Sequence, residues 1–120
     1  MTRYLISFVE GAMTFPEEEL PEVGAAAHAV TYAAQDAGVW VFGGGLTDGV
    51  EGSLVATDGT VTEGPDRPAR GNISGFSIID VPSREAAMEW AARFAVACRC
   101  AQEVREIMDD PNLESNRGSQ

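Results

Sequence analysis

The feature that most constrains this chain is a change of apolar period that occurs twice. Each half opens with strand-like apolar spacing, passes into 3.6-residue spacing, and is flanked by a further short apolar run. Thr2 to Val9 reads as a strand. It puts Tyr4, Ile6 and Phe8 on one face, and Leu5 and Val9 on the other beside Arg3 and Ser7. A helix follows, from about Pro16 or Glu17 to Ala37. Thr14 is placed to cap it, and Glu17, Glu18 and Glu19 complement the positive end of its dipole. Pro21 fits only a first turn, so the alternative start is Pro21 itself. Gly38 ends the helix. Val39 to Gly43 is a second strand, and the run Gly43-Gly44-Gly45 then breaks the pattern.

In the second half, Ser53 to Asp58 and Thr60 to Glu63 flank Asp58-Gly59, a strong hairpin signal. Gly64 to Gly71 reads as a loop and Asn72 to Val81 as a strand. Ser83 caps a second helix over roughly Arg84 to Ala97, and Ala101 to Met108 is a last strand. The order is β-α-β, hairpin, β-α-β. That is the ferredoxin-like βαββαβ plan of an α+β domain, with an extra β-hairpin. The domain spans residues 1–108, and residues 109–120 form a polar C-terminal tail.

Two helices cover only one face of such a sheet. Val23, Ala27, Val30, Ala34 and Ala37 make the apolar stripe of the first, and Ala87, Trp90, Ala91, Phe94 and Cys98 that of the second. The strands are apolar on both sides, so Leu5, Val9, Ile73 and Ile79, or their alternates, are left for the other face. Leaving such side chains wet costs about 1.5–3 kcal/mol each. A second copy of the sheet is the natural cover, so a homodimer is expected.

The charge narrows the partners. The chain carries 19 acids against 8 bases, a net charge of −11, which disfavours direct nucleic-acid binding. No apolar run reaches membrane-span length, and no basic, apolar and small-residue signal opens the chain, so a cytoplasmic protein without membrane contact is expected. Cys98 and Cys100 are too close for an unstrained bridge, and with one histidine in the chain a metal site lacks ligands. Reduced thiols, no metal and no cofactor are expected.

Few residues point to chemistry. His28 is the only histidine, the side-chain type that exchanges protons near neutrality. A helical wheel places it about 140° from the core stripe, at a cleft edge or on a plain polar flank. Tyr32 lies one turn later. Glu63, Asp66, Arg67 and Arg70 gather after the hairpin, where the arginines suit a carboxylate or phosphate, or simply pair with neighbouring acids. Asp80 shares its parity with Phe76 and Ile78, which points it to the helix side if those residues do. Trp40, Phe42, Phe76 and Trp90 read as core, and Gly43-Gly44-Gly45 as a turn or close backbone contact.

Several stretches together resemble one family. Ala37-Gly38-Val39-Trp40-Val41 followed by Gly45-Leu46 resembles the "AGVLV…GL" segment of YCII-related (DGPF) proteins. Val61-Thr62-Glu63-Gly64-Pro65 resembles the "VTDGPF" motif, Gly75 to Val81 resembles "GGFYLIDV", and Glu89 to Arg93 matches "EWAAR". Val104-Arg105 falls where the family ends in a "VEVRP" strand, so the likeness covers about residues 2 to 108. It implies a dimeric α/β-barrel type of ferredoxin-like fold, and a site built on a helix-1 histidine, here His28, with an acidic partner. Some relatives resemble dehydrochlorinases or muconolactone-type lyases, and others are linked to transcription. The motif's Asp is Glu63 here, and its Phe is Asp66.

Two functions follow. In the first, a small-molecule lyase-like enzyme uses His28 as general acid/base. Glu63 or Asp80 orients it, and Arg67, Arg70 and Tyr32 bind a small anionic ligand. In the second, the protein is a non-catalytic dimeric binding or regulatory module.

Overall fold

The computed structural model describes residues 1–9, 11–47, 52–63 and 72–113. The elements run β1 (Thr2–Val9), α1 (Leu20–Asp36), β2 (Trp40–Gly45), β3 (Ser53–Val55), β4 (Val61–Glu63), β5 (Ile73–Val81), α2 (Arg84–Cys98) and β6 (Glu103–Glu106). The main sheet has the order β2-β5-β1-β6 with antiparallel pairing throughout. This is the ferredoxin-like α+β arrangement. Among the described residues β3 and β4 pair only with each other.

Local chemistry sets the boundaries. A 3-10 turn at Glu17–Glu19 leads into α1, whose second residue is Pro21. The Thr14 hydroxyl caps neither, since the N-terminal positions of both lack a side-chain cap. Gly38 has φ +75° and releases the chain toward β2. At α2, the Ser83 hydroxyl accepts the Ala86 amide at 3.1 Å, as a serine before a helix should. α2 ends on Arg99, the one non-glycine residue with positive φ among those described. Its guanidinium pairs with Glu19 and lies 3.8 Å from Glu22, tying the end of α2 to the start of α1. Asp58-Gly59 turns the hairpin, with φ +88° at Gly59 and the Thr60 amide donating to the Asp58 carboxylate at 2.9 Å.

The core lies between the helices and one sheet face. Tyr4, Ile6, Ile79 and Val81 meet Ala87, Ala91 and Phe94 there, and Ile6, Ile79 and Val81 are almost fully buried. Ile79 therefore does not belong to the uncovered face. Its alternates Phe76 and Ile78 do, because they pair with Ser7 and Leu5 on the same side of β1. Asp80 pairs with Arg3 and shares that side. The helix-side orientation suggested for it is thus corrected: the parity that groups Asp80 with Phe76 and Ile78 holds, but that set faces away from the helices.

β2 departs from simple alternation. A register shift between Trp40 and Phe42 sets Trp40 opposite Ile79 and Phe42 opposite Ile78. Trp40 thereby packs against the core, while Phe42 is 62% exposed beside Phe76 on the uncovered face. Phe42 is not a core residue. The glycines do not end the strand but continue it through Gly45. Gly43 has a steric reason: a Cβ there would lie 2.5 Å from the Phe76 carbonyl oxygen, 2.7 Å from the Trp40 ring and 2.9 Å from the Ser77 Cα.

Two of those neighbours are backbone and cannot swing aside. Gly43→Ala is expected to destabilise the fold by about 1–3 kcal/mol. Each kcal/mol lowers Tm by about 4 °C in a domain of 120 residues, so a thermal melt followed by circular dichroism reads the effect.

Candidate functional site

A cleft of about 340 Å³ opens between α1, the β2–β5 end of the sheet and the C-terminal end of α2. Its helix wall is Gly24, Ala27, His28 and Thr31, which recur at i, i+3, i+4 and i+7 and so form one stripe of α1. The stripe overlaps the edge of the core stripe, since Ala27 belongs to both and Val23 of the core stripe also lines the cleft. His28 is exposed and lies on the cleft wall. The sheet wall includes Gly43, Gly45, Gly75 and Ser77, overlooked by Phe8 and Trp40. The Phe8 ring takes the space a Cβ on Gly75 would need, at 2.7 Å. Leu20 and Met13 lie at one end, and Phe94, Cys98 and Gln102 come from α2 and the segment after it.

The described lining holds one imidazole and no carboxylate, guanidinium or ammonium group. Its other polar groups are modest. The Thr31 hydroxyl donates to the Ala27 carbonyl at 3.1 Å, which leaves its oxygen free to accept. Tyr32 stacks on His28 with ring centroids 6.1 Å apart, is 59% exposed, and lies outside the cleft wall. Such a surface suits a mainly apolar small molecule with one polar group near His28.

Among the described residues nothing gives Gly24 a packing reason. An interior helix glycine costs about 1 kcal/mol relative to alanine. Apart from its two chain neighbours, no described side chain, and no described backbone outside its own helix, would lie within 4 Å of a Cβ on Gly24. Wheel reasoning overlooked this wall because glycine and alanine carry almost no hydrophobic signal.

The acidic partners expected for His28 are placed elsewhere. Glu63, on β4, accepts the Ser53 hydroxyl at 2.8 Å and does not line the cleft. Asp80 lies on the opposite face of the sheet, with one carboxylate oxygen buried and without a hydrogen-bond partner among the described residues. Among the described residues no carboxylate forms an ion pair with His28. Asp66, Arg67 and Arg70 lie outside the described residues. Cys98 and Cys100 are free thiols, and the described residues contain no cluster of three or more metal-ligating side chains. No described helix is long and apolar enough to cross a membrane.

Strand order, two helices on one face and a ligand-sized cleft beside α1 define a ferredoxin-like α+β domain with a small-molecule-sized cleft. A family model for the YCII-related domain matches residues 3–110, and the chain belongs to that family. A comparison with curated proteins returns no match.

Burial pushes the Cys98 thiol above its ordinary range, with Cys100 adding to the shift. Burial likewise raises Cys100, against a hydrogen bond from Gln102. A thiol whose pKa is raised by folding adds stability that is fully present below the unfolded value, near 8.5, and is lost as pH rises through the folded value. Urea unfolding from pH 7.5 to 9.5 is therefore expected to show stability falling above about pH 8.5. The fall is shallower in Cys98→Ala; an equal slope in both proteins contradicts the assignment.

Proposed function

We propose that the cleft beside α1 is a small-molecule site in which His28 transfers a proton, the chemistry of a lyase-like enzyme. The observation that carries this reading is the placement of His28 on the wall of a mainly apolar cleft. An elimination needs a base that takes a proton as a leaving group departs. Imidazole suits that task near neutral pH.

One observation favours a second reading, a non-catalytic binding or regulatory module, possible in a YCII-related protein whose motif loop has changed. His28 has no described carboxylate to orient it, so binding without turnover is the alternative. Both readings place the protein among small-molecule or partner-binding domains rather than nucleic-acid binders.

We also propose a homodimer in which two uncovered sheet faces stack, the dimeric α/β-barrel arrangement. Leu5, Phe42, Phe76 and Ile78 lie on that face of each copy, which supports the reading. Each such side chain contributes about 1.5–3 kcal/mol when fully buried.

Two measurements test these proposals. The NMR signals of the His28 ring are expected to move on addition of benzoate, and ring signals indifferent to benzoate remove the enzyme reading. Analytical ultracentrifugation is expected to show a dimer that Phe42→Asp converts to a folded monomer; a monomeric wild type sinks the stacked-sheet arrangement.

A further inference from the structure

We infer that the Ser77 hydroxyl is a binding group of the cleft, and that the molecule it meets is largely apolar and carries an uncharged carbonyl. The inference rests on the reading of the cleft as a small-molecule site. It adds a polar contact on the sheet wall and the chemical class of the occupant.

Strand parity fixes the direction of Ser77. It pairs with Ile6 and lies two residues from Ile79, both in the core under the helices, so its side chain points to the helix side. The residue lines the cleft and is only 9% exposed. Its hydroxyl hydrogen-bonds to none of the described residues. Buried polar side chains are in the large majority paired, because a hydroxyl shut away without a partner costs stability. Among the described residues one side-chain oxygen is both unpartnered and sealed off, Oδ1 of Asp80 on the other face of the sheet. The Ser77 oxygen is not sealed, so the small surface it keeps opens on the cleft.

The surroundings of this hydroxyl select what it can meet. Gly43 pairs with Ser77 from β2, and Gly75 precedes it by two residues on β5. The Trp40 ring lies 2.7 Å from where a Cβ on Gly43 would stand, and the Phe8 ring 2.7 Å from the same place on Gly75. Two aromatic rings therefore flank the hydroxyl, and they suit a flat or aromatic body. A charged group there would lose its water against these rings with one hydroxyl in return. A neutral carbonyl accepts the serine proton and brings no donor that would go unpaired. A carbonyl also acidifies the C–H beside it, the kind of proton an elimination removes. A donor on the carbonyl oxygen stabilises the charge that develops there.

The test compares acetophenone with ethylbenzene, the same arene with a methylene in place of the carbonyl. Binding to the wild type, Ser77→Ala and Ser77→Cys is read from the ring resonances of Trp40 and His28. Ser77→Ala is expected to weaken acetophenone about three- to tenfold, the range of one neutral hydrogen bond, while ethylbenzene stays within about twofold. Ser77→Cys keeps the shape with a much weaker donor and is expected to show the same selective loss. Should Ser77→Ala not fold, Ser77→Cys decides alone. If the variants weaken both probes equally, or neither, the inference falls and the small-molecule reading stands. A wild type that binds benzoate or ethylbenzene but not acetophenone also sinks the inference alone. A wild type that binds none of the three takes the reading of the cleft down with it.

Discussion

The register shift between Trp40 and Phe42 is the constraint on which both surfaces of this protein depend. Without it, two aromatic rings two residues apart would share a face. The extra residue sends Trp40 under the helices and Phe42 to the uncovered side. Trp40 then lies over Gly43, which can have no side chain. One irregularity in a six-residue strand thus shapes a cleft wall on one face and leaves an apolar surface on the other.

The fold was legible because its signals are redundant. β1 begins and ends where alternation predicts, α2 starts at its serine cap, and the hairpin turns at Asp58-Gly59. Each rests on a strong local preference that tertiary packing reinforces. Parity arguments were less secure. They grouped the residues of β5 correctly but did not say which group the helices cover. Asp80 and Ile79 were accordingly set on the wrong sides. Choosing between the faces needs the helix positions, which strand periodicity does not contain.

The site was legible only in its titratable member. His28 stands out as the single histidine, and the wheel set it off the core stripe. Part of the wall around it is made of residues that sequence reading discounts: Gly24, Gly45 and Gly75. A cleft is made where side chains are missing, and periodicity registers only those that are present. The acidic partners were sought by motif, and the described structure places Glu63 in a hairpin bond with Ser53 and Asp80 across the sheet.

The hairpin of β3 and β4 forms a two-stranded sheet of its own, joined to the main sheet by no strand pairing among the described residues. It sits between the two β-α-β halves, and no hydrogen bond of the central ladder runs through it. Its sequence is consequently released from the register that binds β1 to β5 residue by residue. Length, tip and charge can drift there while the scaffold stays fixed. Evolution, or a designer, has at that point an insertion site where novelty carries little risk to the fold.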